Sequence, residues 1–383
     1  MTPADSPSPT LPPAGAPVPS LGERPSDSLL DRLQGQRQRP PRIRDRHITL
    51  AHGSGGRAMR DLIADVFVGA FDNPLLAPLA DQAQLDLGAL AAQGDRLAIT
   101  TDTFVVDPIE FPGGDIGCLA VYGTVNDLAV GGAIPRYLSC GVILEEGLPV
   151  ETLRRIVRSM ALAAQRAGVA IVTGDTKVVP RGSADKIFIN TTGVGAIAPQ
   201  YRLGSDQIRP GDAVLVSGPI GDHGAAILVA RGELGLETDI VSDCQPLHEL
   251  TAAILAACPH TRALRDATRG GVATVLNEFA IDAGVAIRLE EAALPVRPAV
   301  AGLCEILGFD PLYLANEGTL VAVVPSGDAA AVLAAMATCP AGAGARQIGT
   351  VSETPVGLVT VRTGFGTERI LDLLTGDQLP RIC

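Results

Sequence analysis

The expectation for this 383-residue chain is an α/β architecture in two similarly built halves. Hydrophobic residues make up 46 % of it, yet aromatics only 3 %, and tryptophan is absent. Its cores must therefore be built from Ala, Val, Leu and Ile, as in layers of helix on sheet. Apolar positions switch between helical and strand periods along the chain. Two local patterns also recur at nearly one offset. Gly94-Asp95, before a strand-like run, returns as Gly211-Asp212, 117 residues on; Gly168-Val169-Ala170-Ile171 returns as Gly284-Val285-Ala286-Ile287, 116 on.

Residues 1–46 hold ten of the 29 prolines, then a run of six arginines from Arg32 to Arg46. Too little apolar surface is available there to order a chain, so a disordered extension is expected, with ordered structure from near Ile48. In 47–203, the first α/β domain, Met59, Leu62, Ile63, Val66 and Phe67 fall at helical spacing behind the loop His52-Gly53-Ser54-Gly55-Gly56-Arg57. Leu97 to Val106 reads as a strand. Leu153, Ile156, Val157 and Met160 mark an amphipathic helix with Gly168 at its C-terminal cap. Val169 to Val172 reads as a strand that ends at Thr173-Gly174-Asp175-Thr176-Lys177. The apolar pattern breaks near 202–210 and resumes at Gly211-Asp212-Ala213-Val214-Leu215-Val216, opening a second α/β domain over 204–355. The remainder, 356–383, carries two short strand-like runs and a tail ending Pro380-Arg381-Ile382-Cys383. Gly376, Asp377 and Gln378 precede it, and Pro380 biases Leu379 toward an extended conformation, so the terminal thiol sits on a mobile arm.

A net charge of −12 argues against a nucleic-acid or anionic-membrane partner. The seven cysteines form no CxxC pair and no metal-ligand spacing with the five histidines, which fits reduced thiols in a cytosol. Met1 to Ser20 lacks a basic start and an apolar core of a signal, and no run is long enough to span a bilayer; the expected location is the cytoplasm.

Acidic residues flanked by glycine and threonine recur at element ends: Thr101-Asp102-Thr103, Gly114-Asp115-Ile116, Asn126-Asp127, Gly174-Asp175-Thr176, Gly221-Asp222-His223-Gly224 and Asp266-Ala267-Thr268-Arg269-Gly270-Gly271. One Gly-Asp alone is usually a turn. The set, with Asp127 inside the apolar run Leu119 to Val130, favours a Mg²⁺–nucleotide site, because an acidic protein needs a metal and backbone N–H groups to hold phosphates. There is no Walker A and no GxGxxG sequence. Lys177 and Lys186 are the two lysines; the other 28 basic residues are arginines. Lys177, beside Gly174-Asp175, could bind phosphate or stabilise developing charge. Glu317, in Ala315-Asn316-Glu317-Gly318, stands before the strand-like run Thr319 to Val324, where a base could sit.

His52-to-Arg57, Phe111-to-Gly117, Gly123-to-Ala129, Glu145-to-Gly147, Thr173-to-Val179, Phe188-to-Thr192, Arg265-to-Gly271, Ala315-to-Gly318 and Pro380-to-Cys383 together resemble the HypE family. These are the carbamoyl dehydratases of NiFe-hydrogenase maturation, within the AIR synthetase and selenophosphate synthetase superfamily. The resemblance covers roughly residues 48 to 383. It implies a two-domain AIR-synthetase-like fold whose N-terminal sheet pairs with its twin in a homodimer. It also implies a carbamoyl group received on Cys383 from the carbamoyltransferase HypF, dehydrated with ATP and Mg²⁺ to a thiocyanate, and a cyano group passed to iron on the HypC–HypD complex. Carried over by motif, Cys383, Lys177 and Glu317 would be catalytic. Gly53, Ser54, Gly55, Gly56, Asp115, Asn126, Asp175 and Thr176 would bind the nucleotide with Asp102, Asp127 and Asp266, the last three as metal ligands. Two rival readings are a sister ATP-dependent synthetase and a non-catalytic carrier presenting a C-terminal thiol. Selenophosphate synthetases carry their reactive residue near the glycine loop, where this chain has Ser54 and no cysteine.

Overall fold

The structure, a computed structural model, describes residues 42–232, 235, 238–374, 376, 379 and 381–383. The expectation of a disordered extension falls, for residues 1–41, outside the described residues, as do Asp377, Gln378 and Pro380 of the arm. Order begins earlier than Ile48. Ile43 is buried, its N–H bonds to Asp65 at 2.8 Å, and the Arg46 carbonyl accepts from Val150 N at 3.0 Å.

Helix α1 starts as Arg57–Leu62, widens into a π turn over Ile63–Val68 and closes at Gly69–Phe71. The first sheet takes β1 (Arg96–Phe104), β2 (Ala133–Glu145), β3 (Ala170–Val179) and β4 (Ile187–Ile197) in the order β1-β4-β2-β3. Pairing is antiparallel except between β2 and β3. Helices α2 (Ile116–Val130) and α3 (Val150–Arg166) belong to the same half, and α2 packs on β1, β4 and α3. Thirteen of the fifteen residues of α2 are buried, because it also touches elements of the second half. A helix enclosed on all sides needs no amphipathic period, which explains the unbroken apolar run from Leu119.

The second sheet has seven strands: β5 (Ala213–Val216), β6 (Ala263–Asp266), β7 (Ala286–Glu290), β8 (Leu320–Val324), β9 (Arg346–Ser352), β10 (Val359–Arg362) and β11 (Glu368–Ile370). Their order is β11-β10-β7-β9-β5-β8-β6, with only β7 and β10 parallel. Every residue of β5 and β8 is buried, as central strands covered on both faces must be. Helices α5 (His248–Ala257), α6 (Gly271–Ala283) and α8 (Ala329–Met336) pack on it, while α4 (Asp222–Ala230) and α7 (Pro298–Leu307) pack on each other.

Two strand boundaries differ from the expectation: β1 ends at Phe104, two residues short of Val106. β3 does not stop at Val172 but runs through Thr173-Gly174-Asp175-Thr176-Lys177 to Val179. It is the edge of its sheet, paired on one side only, so its outward side chains can be polar without breaking the ladder.

Candidate active site

The C-terminal tail is docked. Val105 N–H donates to the main-chain oxygen of Cys383 at 3.1 Å and Asp107 N–H to the Arg381 carbonyl at 3.2 Å, an antiparallel pairing that continues from the end of β1. Arg381 forms ion pairs with Asp185 and, at 3.6 Å, with Asp107. Ile382 is buried, and the half-buried Cys383 packs against the core of the first half. The seven cysteines are all thiols.

Asp102 lies three residues before Val105 on β1. Its carboxylate accepts from Thr103 N–H at 2.8 Å and faces α2: a Cβ added at Gly123 would lie 3.6 Å from Asp102 Oδ2. Asp127 reaches back from α2 and accepts from the Thr100 hydroxyl at 2.9 Å. Asp266 ends β6, buried. These three carboxyls and Glu317 feel one another's charge. Burial raises Asp102, and burial with the Asp102 charge raises Asp127. Burial, then the charges of Asp127 and Asp102, push Asp266 up to about 7. Glu317, 2 % exposed, is held well above the carboxylate range by burial and by Asp243, Asp266 and Asp102, with its Oε1 unpartnered. Its backbone is pinned. Asp243 accepts from Glu317 N–H at 2.9 Å and Gly318 N–H at 3.0 Å, and a Cβ at Gly318 would meet the Asp243 carbonyl at 1.9 Å.

The glycine loop lies elsewhere. Leu50–Gly53 forms a 3₁₀ turn in which Gly53 is required by contact, since a Cβ there would stand 2.9 Å from Val178 N. Gly55 takes a φ of +76° and Gly56 caps α1. Ser54 donates to the Ala51 carbonyl at 2.9 Å. Gly55 and Gly56 share a cavity of about 570 Å³ with Thr173, Gly174, Asp175 and Asp81. Lys177, two residues on from Asp175 and so on the same side of β3, is ion-paired with it at 2.6 Å on the open face of the sheet. Asp102 faces the helix side. The structure thus gathers Asp102, Asp127, Asp266 and Glu317 at one end of the molecule's interior, and Gly55, Gly56, Asp175 and Lys177 at the far edge.

Three expected nucleotide ligands are otherwise engaged. Asp115 caps α2, its Oδ1 accepting from Gly117 N–H at 2.7 Å and Cys118 N–H at 3.0 Å. Asn126, buried, donates to the Gln245 and Glu317 carbonyls at 3.1 and 3.3 Å and accepts from Leu247 N–H at 2.8 Å, clamping α2 to the second half. Thr176 is buried on the helix side of β3, turned away from Asp175. Reading the sequence alone overlooked Asp81, His223, Ser242 and Asp243. His223 was visible in Gly221-Asp222-His223-Gly224, but nothing in the sequence places it beside the chain end.

Two family models match. One, AIR synthase related protein, N-terminal domain, covers residues 80–197; the other, AIR synthase related protein, C-terminal domain, covers 209–362. The chain is 58 % identical over 341 residues to carbamoyl dehydratase HypE of Rhodobacter capsulatus, covering 89 % of this chain and 99 % of the relative. Its structure resembles that of hydrogenase maturation protein HypE in complex with ATP, with a TM-score of 0.83 and 50 % identity over 87 % of this chain and 99 % of that one. A HypE–HypF complex gives a TM-score of 0.71 and 47 % identity over 82 % and 99 %. Across its two AIR-synthase-related halves, the chain belongs to the HypE family of carbamoyl dehydratases.

Proposed function

We propose that this chain is an ATP-dependent carbamoyl dehydratase, a hydro-lyase that converts an S-carbamoyl group on Cys383 to a thiocyanate in NiFe-hydrogenase maturation. The observation that carries this reading is the tail bound at the end of β1, so that the terminal thiol is carried by the same strand end as Asp102. A passive carrier has no need of buried, mutually repelling carboxyls beside its docked arm.

Loading requires the thiolate of Cys383 to attack a carbamoyl donor, which the carbamoyltransferase HypF would supply. In the dehydration, the thiocarbamate oxygen attacks the γ-phosphorus of ATP and ADP leaves. The nitrogen loses one proton as the imidate phosphate forms. It loses the second as the C–O bond breaks and phosphate departs, leaving S–C≡N. Phosphorylation turns a poor leaving oxygen into a stable one. Burial and the charges of Asp243, Asp266 and Asp102 hold the Glu317 carboxyl well above the usual carboxylate range. Positive charge held by Asp102, Asp127 and Asp266 would lower its proton affinity, so that Glu317 could accept a proton from nitrogen. Mg²⁺ fits these residues: among the described residues no three or more His, Cys, Asp or Glu are grouped as a ready cage, but Mg²⁺ takes only one or two carboxylates beside phosphates and water. When bound, it supplies charge to the transferring phosphoryl group.

The remaining parts of the reading follow from the two separated clusters. β1 and β3 are the two edges of a four-stranded sheet, three strand spacings or about 14 Å apart. The open face of β1 exposes Leu97 by 63 % and Ile99 by 69 %. A homodimer that buries this face and sets the β1 edge of one copy against the β3 edge of the other would join the glycine loop, Asp175 and Lys177 to the acidic cluster. The tail would leave its bound place to be loaded and to hand cyanide on to the HypC–HypD complex. No helix among the described residues is long and apolar enough to cross a membrane, and the setting proposed is the cytoplasm. Mass spectrometry of the C-terminal peptide tests the core of this. With carbamoyl phosphate, ATP and the carbamoyltransferase, a carbamoyl adduct should appear and then lose one water. A Cys383→Ala chain should show neither step, and adduct formation on that variant would overturn the assignment.

A further inference from the structure

The carbonyls of the docked tail alternate. That of Arg381 points to the 105–107 segment, as does the main-chain oxygen of Cys383. That of Ile382, between them, points the other way, as an extended chain requires, and ends in a buried position. There it meets His223 Nε2 at 2.7 Å. A carbonyl only accepts, so Nε2 carries the ring's proton. Nδ1 is then the acceptor, and the Ser242 hydroxyl supplies it at 2.8 Å. The Ser242 oxygen in turn accepts from Cys244 N–H at 3.1 Å. Every polar group in the chain of contacts has a partner, and burial, which lowers the ring's proton affinity, keeps it in this neutral form. Phe111 packs edge-on to the ring at 5.4 Å and fixes its plane. The next residue along, Asp243, is the one that holds Glu317 N–H and Gly318 N–H.

We propose that His223 is the positioning residue that latches the C-terminal tail in its docked place, and that the Ser242-Asp243 loop ties this latch to the peptide carrying Glu317. The latch stands on geometry alone; its effect on dehydration rests on the dehydratase reading above. A docked tail and a correctly placed Glu317 would then form together, so that dehydration proceeds only on a seated cargo.

The test measures how fast iodoacetamide alkylates Cys383 in the full chain, read on the C-terminal peptide, with the buried Cys140 as a reporter of intact folding. His223→Leu removes the donor and leaves a buried carbonyl unpaired, so Cys383 should react roughly tenfold faster or more while Cys140 stays silent. His223→Gln keeps an N–H donor and should recover much of the protection. After loading by the carbamoyltransferase, the Leu variant should gain the carbamoyl group at least as fast as the native chain and lose water about tenfold more slowly. Unchanged alkylation of Cys383 in the Leu variant, with Cys140 silent, overturns the latch. If Cys140 becomes reactive, Ser242→Ala decides: it keeps the ring but removes the group that sets its tautomer. About a threefold rise at Cys383 is expected there, and no rise overturns the proposal. A native chain that shows the protected Cys383 but never loads or never loses water leaves the latch in place and defeats the dehydratase reading instead.

Discussion

Asp266 closes β6 in a buried position where Asp127 and Asp102 repel its charge, which is why its carboxyl is pushed up to about 7. An unfolded Asp ionises near 4, so between the two values the folded chain holds a proton that the unfolded chain has lost. Stability from this group is therefore fully present below about pH 4 and falls as pH rises toward about 7. Asp266→Asn copies the protonated acid at all pH values. The variant should match the native chain in melting temperature at about pH 3.5 and exceed it by a margin that widens up to about pH 7, a gap that does not widen with pH being the contrary result. Glu317→Gln should behave alike in stability, since burial and neighbouring carboxylates also hold the native carboxyl well above the usual range. In the single-turnover assay, however, it should slow water loss roughly 10²-fold or more with loading intact, because an amide cannot take a proton from nitrogen. Equal slowing of both steps would instead mean a displaced tail.

At the scale of single elements, α2 is the axle of the molecule, and two of its polar residues have separable work. Asn126 joins it to Gln245, Leu247 and Glu317 across the two halves. Asn126→Ala leaves a buried N–H and two carbonyls without their partner and should cost at least about 2 kcal/mol in denaturant unfolding. Asp115→Ala removes only a cap, about 1 kcal/mol, and should leave ATP affinity unchanged; a loss of affinity would return Asp115 to the nucleotide site that motif matching gave it. The α/β class was legible in the sequence, because helix α3 and strands β1 and β8 declare themselves by period and by Ala, Val, Leu and Ile content. So was the family, since the glycine loop and the terminal cysteine are local in sequence. What could not be read is which Gly-Asp pairs share a site. Asp115 and Asp102 look alike as letters, yet one is spent on its own helix and the other faces a helix from a strand. His223 was hidden for the same reason: its partner is 159 residues away.

For the whole molecule, the decisive observation is that one copy keeps the two clusters of the proposed site apart. Lys177 lies on the open face of β3, paired with Asp175, whereas Asp102 faces the helices from β1, three strands away. A lysine side chain cannot cross about 14 Å of sheet, so both residues can serve one reaction only if a second copy brings its β3 edge to this β1 edge. Ile99→Arg puts a charge in the middle of the exposed apolar face and should yield monomers in light scattering, with dehydration lost and the tail still protecting Cys383. Lys177→Ala and Glu317→Gln should each slow water loss about 10²-fold or more alone. Dissociated, mixed in equal amounts and reassociated, they should recover about a quarter of native turnover, because half of the random dimers are mixed and each mixed dimer regains one complete site. If Lys177 and Glu317 act from the same chain, mixed dimers contain no intact site, and activity stays at the level of the parents.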